Sequence, residues 1–354
     1  MSTSDLSRSG ILAGGNWLID HVKILDAWPP QDALANIVAE SWGNGGSPYN
    51  ILKNLAKLGA RFPLAGIGLV GDDANGERIL ADCREHGIDT AQLRRTKAAP
   101  TSYSDVMTDG TTGRRTFFHQ RGANALLAPE HFDFRETRAK IFQLGYLLLL
   151  DGLDAVEGGV PRAAGVLRRA REAGLLTSVD CVSENSDRFQ RIVQPVLPEV
   201  DILFVNDFEA EKITGVALRP GGEAIEREAV ENAARKLVGL GVRRWVVVHF
   251  PEAVYALSGD AKGHWQPSVR VAAETIKGTA GAGDALAAGV LYGLHEGWPI
   301  EETLRLGVAT AAASLMDATC SEGVMPAEVC QARADAQGWH EWPRQTEKPQ
   351  TNHE

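Results

Sequence analysis

The chain has 354 residues, with 36 Lys and Arg against 46 Asp and Glu and a formal net charge of -10. That balance argues against a nucleic-acid partner, which needs clustered Lys and Arg, but leaves room for one local phosphate pocket. The length suits one large domain or two modest ones, and an ordinary composition (44% hydrophobic, 23% charged) allows a sizeable core.

The four cysteines, Cys83, Cys181, Cys320 and Cys330, form no C-x-x-C pair and read as reduced thiols of a cytoplasmic protein. The opening MSTSDLSRSG lacks an apolar signal-peptide core. The apolar run around Leu147–Leu150 is too short to span a bilayer, so no membrane partner is expected.

Residues 1–10 and about 340–354 are polar and read as loose ends. Residues 11–26 read as a strand running into an extended stretch. Helical spacing of Ile51, Leu52, Leu55 and Leu58 predicts a helix over 48–59, followed by a strand at 61–70 and a helix at 76–86. Two runs rich in Thr, Ser, Tyr, Val and Phe, 101–108 and 114–120, flank Asp109-Gly110-Thr111-Thr112-Gly113 and predict a β-hairpin. From 138 onward strands (141–150, 175–180, 202–205, 245–249) alternate with helices (159–173, 185–196, 207–214, 226–240, then 284–296, 300–318 and 326–336). Such alternation predicts βαβ units and an α/β fold around a mainly parallel sheet. The segments 15–25 and 101–122 do not fit that rhythm and are placed in a small β-sheet lid.

The sharpest local feature is Gly278-Thr279-Ala280-Gly281-Ala282-Gly283-Asp284 opening a strongly helical segment. Glycines let successive N–H groups point at one spot, and the helix N-terminus adds positive charge, which suits a transferring phosphoryl group. A carboxylate inside such a nest opposes the anion, but makes sense as the base that takes a proton from an attacking hydroxyl. The same run reads equally as a helix start with an Asp cap and glycines for close packing. Gly66-Ile67-Gly68-Leu69-Val70-Gly71 spells G-x-G-x-x-G, but Asp72 and Asp73 follow at once and the helix starts too late for a dinucleotide site.

Gly281-Ala282-Gly283-Asp284 resembles the G-A-G-D signature of ribokinase-like (PfkB) carbohydrate kinases, with Gly278 where the family has Asp and Thr279 kept. Three other segments fall in the family's order. Gly43-Asn44-Gly45-Gly46 with Asn50 and Leu58-Gly59 is similar to its N-terminal signature. Asn206-x-x-Glu209 after the strand 202–205 is similar to its N-x-x-E motif, although an N-terminal helix cap fits those residues as well. The hairpin exit Gly122-Ala123-Asn124 resembles its lid strand, and Gly14–Asp20 its first strand.

The resemblance implies a ribokinase-like kinase domain over 11–336, with a polar tail at 337–354. It implies ATP-dependent phosphorylation of an alcohol on a small sugar. Asp284 would be the base beside Gly281, Ala282 and Gly283; Asp20, Gly45, Gly46, Asn50 and Asn124 would hold the sugar. Asn206, Glu209 and Thr279 would serve the nucleotide, Glu209 holding Mg²⁺ through water, with room for a monovalent cation.

Two segments depart from the pattern. Val246–Ala253 has Pro251 and Glu252 where a glycine turn usually helps hold the nucleotide, and Val179–Asn185 lacks the common Asp-x-Asn. Alternative readings are a nucleoside kinase or a catalytically silent sugar sensor on the same fold. Trp17 and Trp42 are either core or sugar-stacking residues. Phe117 and Phe118, facing opposite sides of one strand, give both lid faces apolar groups and predict a homodimer through the lid.

Overall fold

A computed structural model describes residues 8–341 apart from Gly221 and Glu223. Most of the two ends expected to be loose, and of the tail 337–354, lies outside the described residues.

In chain order the elements are β1 (Ile11–Gly15), β2 (Leu18–Leu25), β3 (Ile37–Gly45), α1 (Ser47–Lys57), β4 (Leu64–Gly71), α2 (Ala74–Glu85), β5 (Ile88–Thr96), β6 (Ser102–Asp109) and β7 (Arg115–Gln120). Then come β8 (Ile141–Leu147), α3 (Asp151–Asp154), the short pair β9 (Val156–Glu157) and β10 (Val160–Pro161), α4 (Arg162–Glu172), β11 (Leu176–Cys181), β12 (Ile202–Asn206), α5 (Asp207–Thr214) and α6 (Arg227–Gly239). The last are β13 (Trp245–Phe250), β14 (Ala253–Ser258), β15 (Gly263–Pro267), α7 (Ala282–Glu296), α8 (Ile300–Ser314) and α9 (Ala327–Gln337).

The large sheet has the order β15-β14-β13-β12-β11-β8-β1-β4-β5. It is parallel from β13 to β5, with an antiparallel edge at β14 and β15. Residues of α4–α6 cover one face and residues of α1, α2 and α7–α9 the other. Burial on both faces is why Ile202–Val205 and Val246–Val248 are continuous apolar runs. The chain runs outward from β1 in both directions, through β4 to β5 and through β8 to β13. Its crevice for ligands therefore lies beyond the carboxyl ends of the central strands. Helix α7 is almost wholly buried because it packs closely on α8: a Cβ at Gly289 would lie 2.8 Å from the Gly307 Cα.

The second sheet, β3-β2-β6-β7, is the small lid: β2 and β6 pair in parallel, flanked by antiparallel β3 and β7. The strand and extended stretch expected over 11–26 are two strands, β1 and β2, in different sheets, because the chain changes sheets at Asn16 and Trp17. Trp17 is fully buried and donates from its indole N–H to the Ile67 carbonyl at 2.8 Å. Its ring lies over Gly66 and Gly68, where a Cβ would come within 2.6 and 2.3 Å. The G-x-G-x-x-G run is thus strand backbone that makes room for an indole, and Trp17 is core.

Strands β3, β5, β14 and β15 do not appear among the sequence expectations. The helix expected over 185–196 is irregular, a π turn at 189–193 followed by a 3₁₀ turn at 194–199 containing Pro198, which has no N–H to donate. Among the described residues no helix is long and apolar enough to cross a membrane.

Candidate active site

Successive parallel strands end on polar side chains that converge on one cavity of about 490 Å³: Tyr146 on β8, Asp180 on β11, Asn206 on β12 and His249 on β13. The lid closes its other side with one row across three strands, Asp20, Ser104 and His119, which are paired in register. The Ser104 hydroxyl lies 3.1 Å from His119 Nδ1. The floor is the turn Thr279–Gly283 and the first turn of α7.

The turn conforms because Gly281 takes φ 75, and a Cβ there would lie 2.6 Å from the Cys320 Cβ. With Gly281 as cap, the first amides of α7 have no partner within the helix and open on the cavity. Asp284 follows in that first turn. Its Oδ2 accepts from Asn50 Nδ2 at 2.7 Å and from the Tyr146 hydroxyl at 2.5 Å. Burial pushes its pKa up to about 6, against the opposing effect of those two donors.

Other carboxyls share the cavity. Burial, aided by Asp284, raises Asp180 well above the usual carboxylate range; Ser47 donates to its Oδ2 at 2.6 Å, and its buried Oδ1 has no partner. Burial pushes Glu209 up to about 7. Asp20 also reaches about 7 by burial, partly offset by Cys320 and Ser104. Among the described residues no Lys or Arg lines this cavity.

A second cavity of about 390 Å³ meets the first at Asn206, His249, Thr279, Ala282 and Gly283. It is mainly apolar, with Val269, Val271, Ile276, Leu286, Val308 and Leu315 in its wall.

The structure brings Asp284, Gly281, Ala282, Gly283, Asp20, Gly46, Asn50, Asn206, Glu209 and Thr279 to the first cavity. Two sequence-derived candidates stand elsewhere. Asn124 is fully buried, and its amide accepts from the Trp17 N–H and donates to the Trp17 carbonyl, both at 3.2 Å. It fastens the hairpin exit to the β1–β2 turn and does not line the cavity. Gly45 does not line the cavity either; a Cβ there would lie 2.7 Å from Asp20 Oδ2, so its bareness makes room for that carboxyl. Asn50 spends its amide within the protein, accepting from Asn44 at 2.6 Å and donating to Asp284.

Asn206 and Glu209 form a reciprocal helix cap while also lining the cavity: Asn206 Oδ1 accepts from the Glu209 N–H at 2.8 Å, and Glu209 Oε2 from the Asn206 N–H at 3.0 Å. Trp42 is exposed, with the Arg78 guanidinium 5.4 Å above its ring, and lines neither cavity. At Gly278 a Cβ would lie 2.4 Å from Arg115 Nη2, so the bare backbone admits a guanidinium that also donates to the Lys277 carbonyl at 3.1 Å.

Residues 16–327 match the family described as pfkB family carbohydrate kinase. The chain belongs to this family. The kinase is 24% identical over 296 residues to a 5-dehydro-2-deoxygluconokinase of Clostridium perfringens, covering 80% of this chain and 81% of that one. It is 28% identical over 281 residues to an ATP-dependent ribose-1-phosphate kinase of Halopiger xanaduensis, covering 79% and 83%. Its fold is similar to that of Arabidopsis thaliana ribokinase, solved with ribose and ATP, with a TM-score of 0.75 and 21% identity over 92% of this chain and 99% of that one. It is an ATP-dependent phosphotransferase acting on a small sugar.

Asp180, Tyr146 and Ser47 are absent from the sequence-derived candidates. The signal that finds the first two is position: each is a polar residue at the carboxyl end of a parallel strand.

Proposed function

We propose that the kinase binds its sugar between the Asp20–Ser104–His119 row of the lid and the strand ends, and that Asp284 is the base. The observation that carries this reading is the pinning of Asp284 Oδ2 by Asn50 and Tyr146, which leaves Oδ1 to face the attacking hydroxyl. A pKa near 6 suits a base that must be ionised at neutral pH yet hold a proton in transit. Asp20 accepts hydrogen bonds from sugar hydroxyls. The amides opening α7 receive the transferring phosphoryl group, and the apolar cavity takes the nucleotide base.

Mg²⁺ suits this site. Asp180, Glu209 and Asp284 gather without a lining Lys or Arg, and Asp180 Oδ1 is buried and unpartnered. Glu209 and Asp180 would hold the ion through water, since no group of three ligating side chains converges among the described residues. When bound, the ion neutralises phosphate charge. Arg115 beside Gly278 supplies a fixed positive charge at the entrance to the turn, so this reading does not require a monovalent cation.

Residues 11–336 make one kinase domain with its lid, working in the cytoplasm, where four buried free cysteines stay reduced. The lid's outer side pairs with a second copy: Val38 and Phe118 are 61% and 53% exposed, on the edge strand β3 and the outward face of β7. Sedimentation at micromolar protein checks this; a clean monomer with and without sugar contradicts it. The activity is tested by coupled ADP release over neutral sugars, sugar acids, sugar phosphates and nucleosides. Turnover with a sugar supports the reading. Nucleosides as the sole substrates, or ATP binding without turnover on any member, would overturn it.

A further inference from the structure

We propose that the substrate is an anionic sugar, an acid or a phosphate, and that Arg115 of the lid binds its anionic group in a side pocket next to the first cavity. The inference rests on the kinase reading above.

The side pocket, of about 500 Å³, shares Phe117, Thr279 and Ala280 with the first cavity. The rest of its lining is the hairpin turn Thr112–Arg115. The two spaces have opposite charge. The first is lined by Asp20, Asp180, Glu209 and Asp284 and by no Lys or Arg; the side pocket, among the described residues, is lined by Arg114 and Arg115 and by no acid. A neutral sugar held by the carboxyls leaves these arginines to water. A sugar with hydroxyls toward Asp20 and Asp284 and an anion at its other end matches both spaces. The reverse placement sets the anion against the carboxyls.

Arg115 opens β7, and its guanidinium crosses from the lid to the turn before α7. Its Nη2 donates to the Lys277 carbonyl at 3.1 Å, in the room that the bare Gly278 leaves. That contact fixes the side chain. Nη1 is buried and has no partner. A donor left so is costly unless an acceptor meets it, and a guanidinium cannot shed its charge. Burial disfavours that charge; the groups that oppose the effect are Cys320 and Asp20, which puts the guanidinium on the sugar side of the turn. Its planar fork matches the oxygens of a carboxylate or a phosphate. A residue that only latched the lid would need no more than the Nη2 contact.

Coupled ADP release over matched sugars in neutral, acid and phosphate form tests this. The best substrate is an acid or a phosphate, with kcat/KM about tenfold or more above its neutral counterpart, the scale of a hydrogen bond to a charged group. The acid and phosphate arms show which anion it carries. Arg115→Met raises KM for that substrate about tenfold or more, with the Kd for a non-hydrolysable ATP analogue within about threefold of wild type. A neutral sugar as the best substrate overturns this proposal and leaves the kinase reading standing. So does an Arg115→Met protein that keeps its KM for the anionic sugar, or one that loses the ATP analogue as strongly, which would assign the guanidinium to the nucleotide. Turnover of no sugar overturns the kinase reading and this proposal with it. Should Arg115→Met not fold, Arg115→Lys decides. It keeps the charge without the fork, so the anionic-to-neutral ratio of kcat/KM falls about threefold or more, and an unchanged ratio overturns the proposal.

Discussion

The two cavities meet at a shared wall that includes Gly283, and the rest of their linings differ. The first gathers Asp20, Asp180, Glu209 and Asp284, with the pKa of each raised by burial. The second is walled by Val269, Val271, Ile276, Leu286, Val308 and Leu315. On the proposed reading the polar side does the chemistry, at the cost of crowding like charges, and the apolar side receives a flat ring system. Substitutions on the polar side should therefore change turnover, pH dependence and ligand-free stability. Those on the apolar side should change only nucleotide affinity.

The largest expected effect is on the polar side. Asp284→Asn keeps the shape and removes the proton acceptor, so kcat falls by roughly two to four orders of magnitude with sugar affinity kept. Single-turnover kinetics and a sugar titration check it. On the apolar side, Ala311→Trp fills part of the second cavity and raises KM for ATP about tenfold, with the Kd for sugar unchanged. Equal effects on both ligands would break the division between the cavities.

A smaller effect concerns stability. The folded-state pKa of Asp180 is raised, so its contribution to stability is full below its unfolded value near 3.8 and is lost as pH rises through the folded value. Asp180→Asn carries no such charge. The ligand-free variant should melt higher than wild type at pH 8, by about 2 °C or more, with the gap closing toward pH 4. A variant melting lower than wild type at pH 8 would mean that the Ser47 contact outweighs the crowding of carboxyls.

The same contrast decides what the sequence discloses. The glycine turn and Asp284 are legible because a phosphate nest needs glycines at fixed spacing before a helix. Asn206 and Glu209 are legible for two reasons at once, since the cap that starts α5 also lines the cavity. Tyr146, Asp180 and His249 are not. Each sits near the end of an ordinary apolar strand, and only the alignment of neighbouring strands makes a site of them. The apolar cavity leaves no mark, because Leu286 or Val308 would look the same in any core. Asn124 shows the opposite error: an Asn at a loop exit reads as a ligand, but its amide is used by the Trp17 backbone. Strand β3 escapes notice because Ile37–Trp42 is exposed on both faces and so carries no alternating pattern.

The central claim is that Asp284, tuned by its two donors, is the group that takes the proton. It is tested most directly by the pH profile of kcat/KM in wild type and Tyr146→Phe. Wild type should lose activity about tenfold per unit below an apparent pKa near 6, as Asp284 becomes protonated. The Tyr146 hydroxyl favours the ionised form, so removing it should move that limb upward, by about half a unit to one unit. An acid limb at the same pH in both proteins would contradict the assignment of Asp284 as the base.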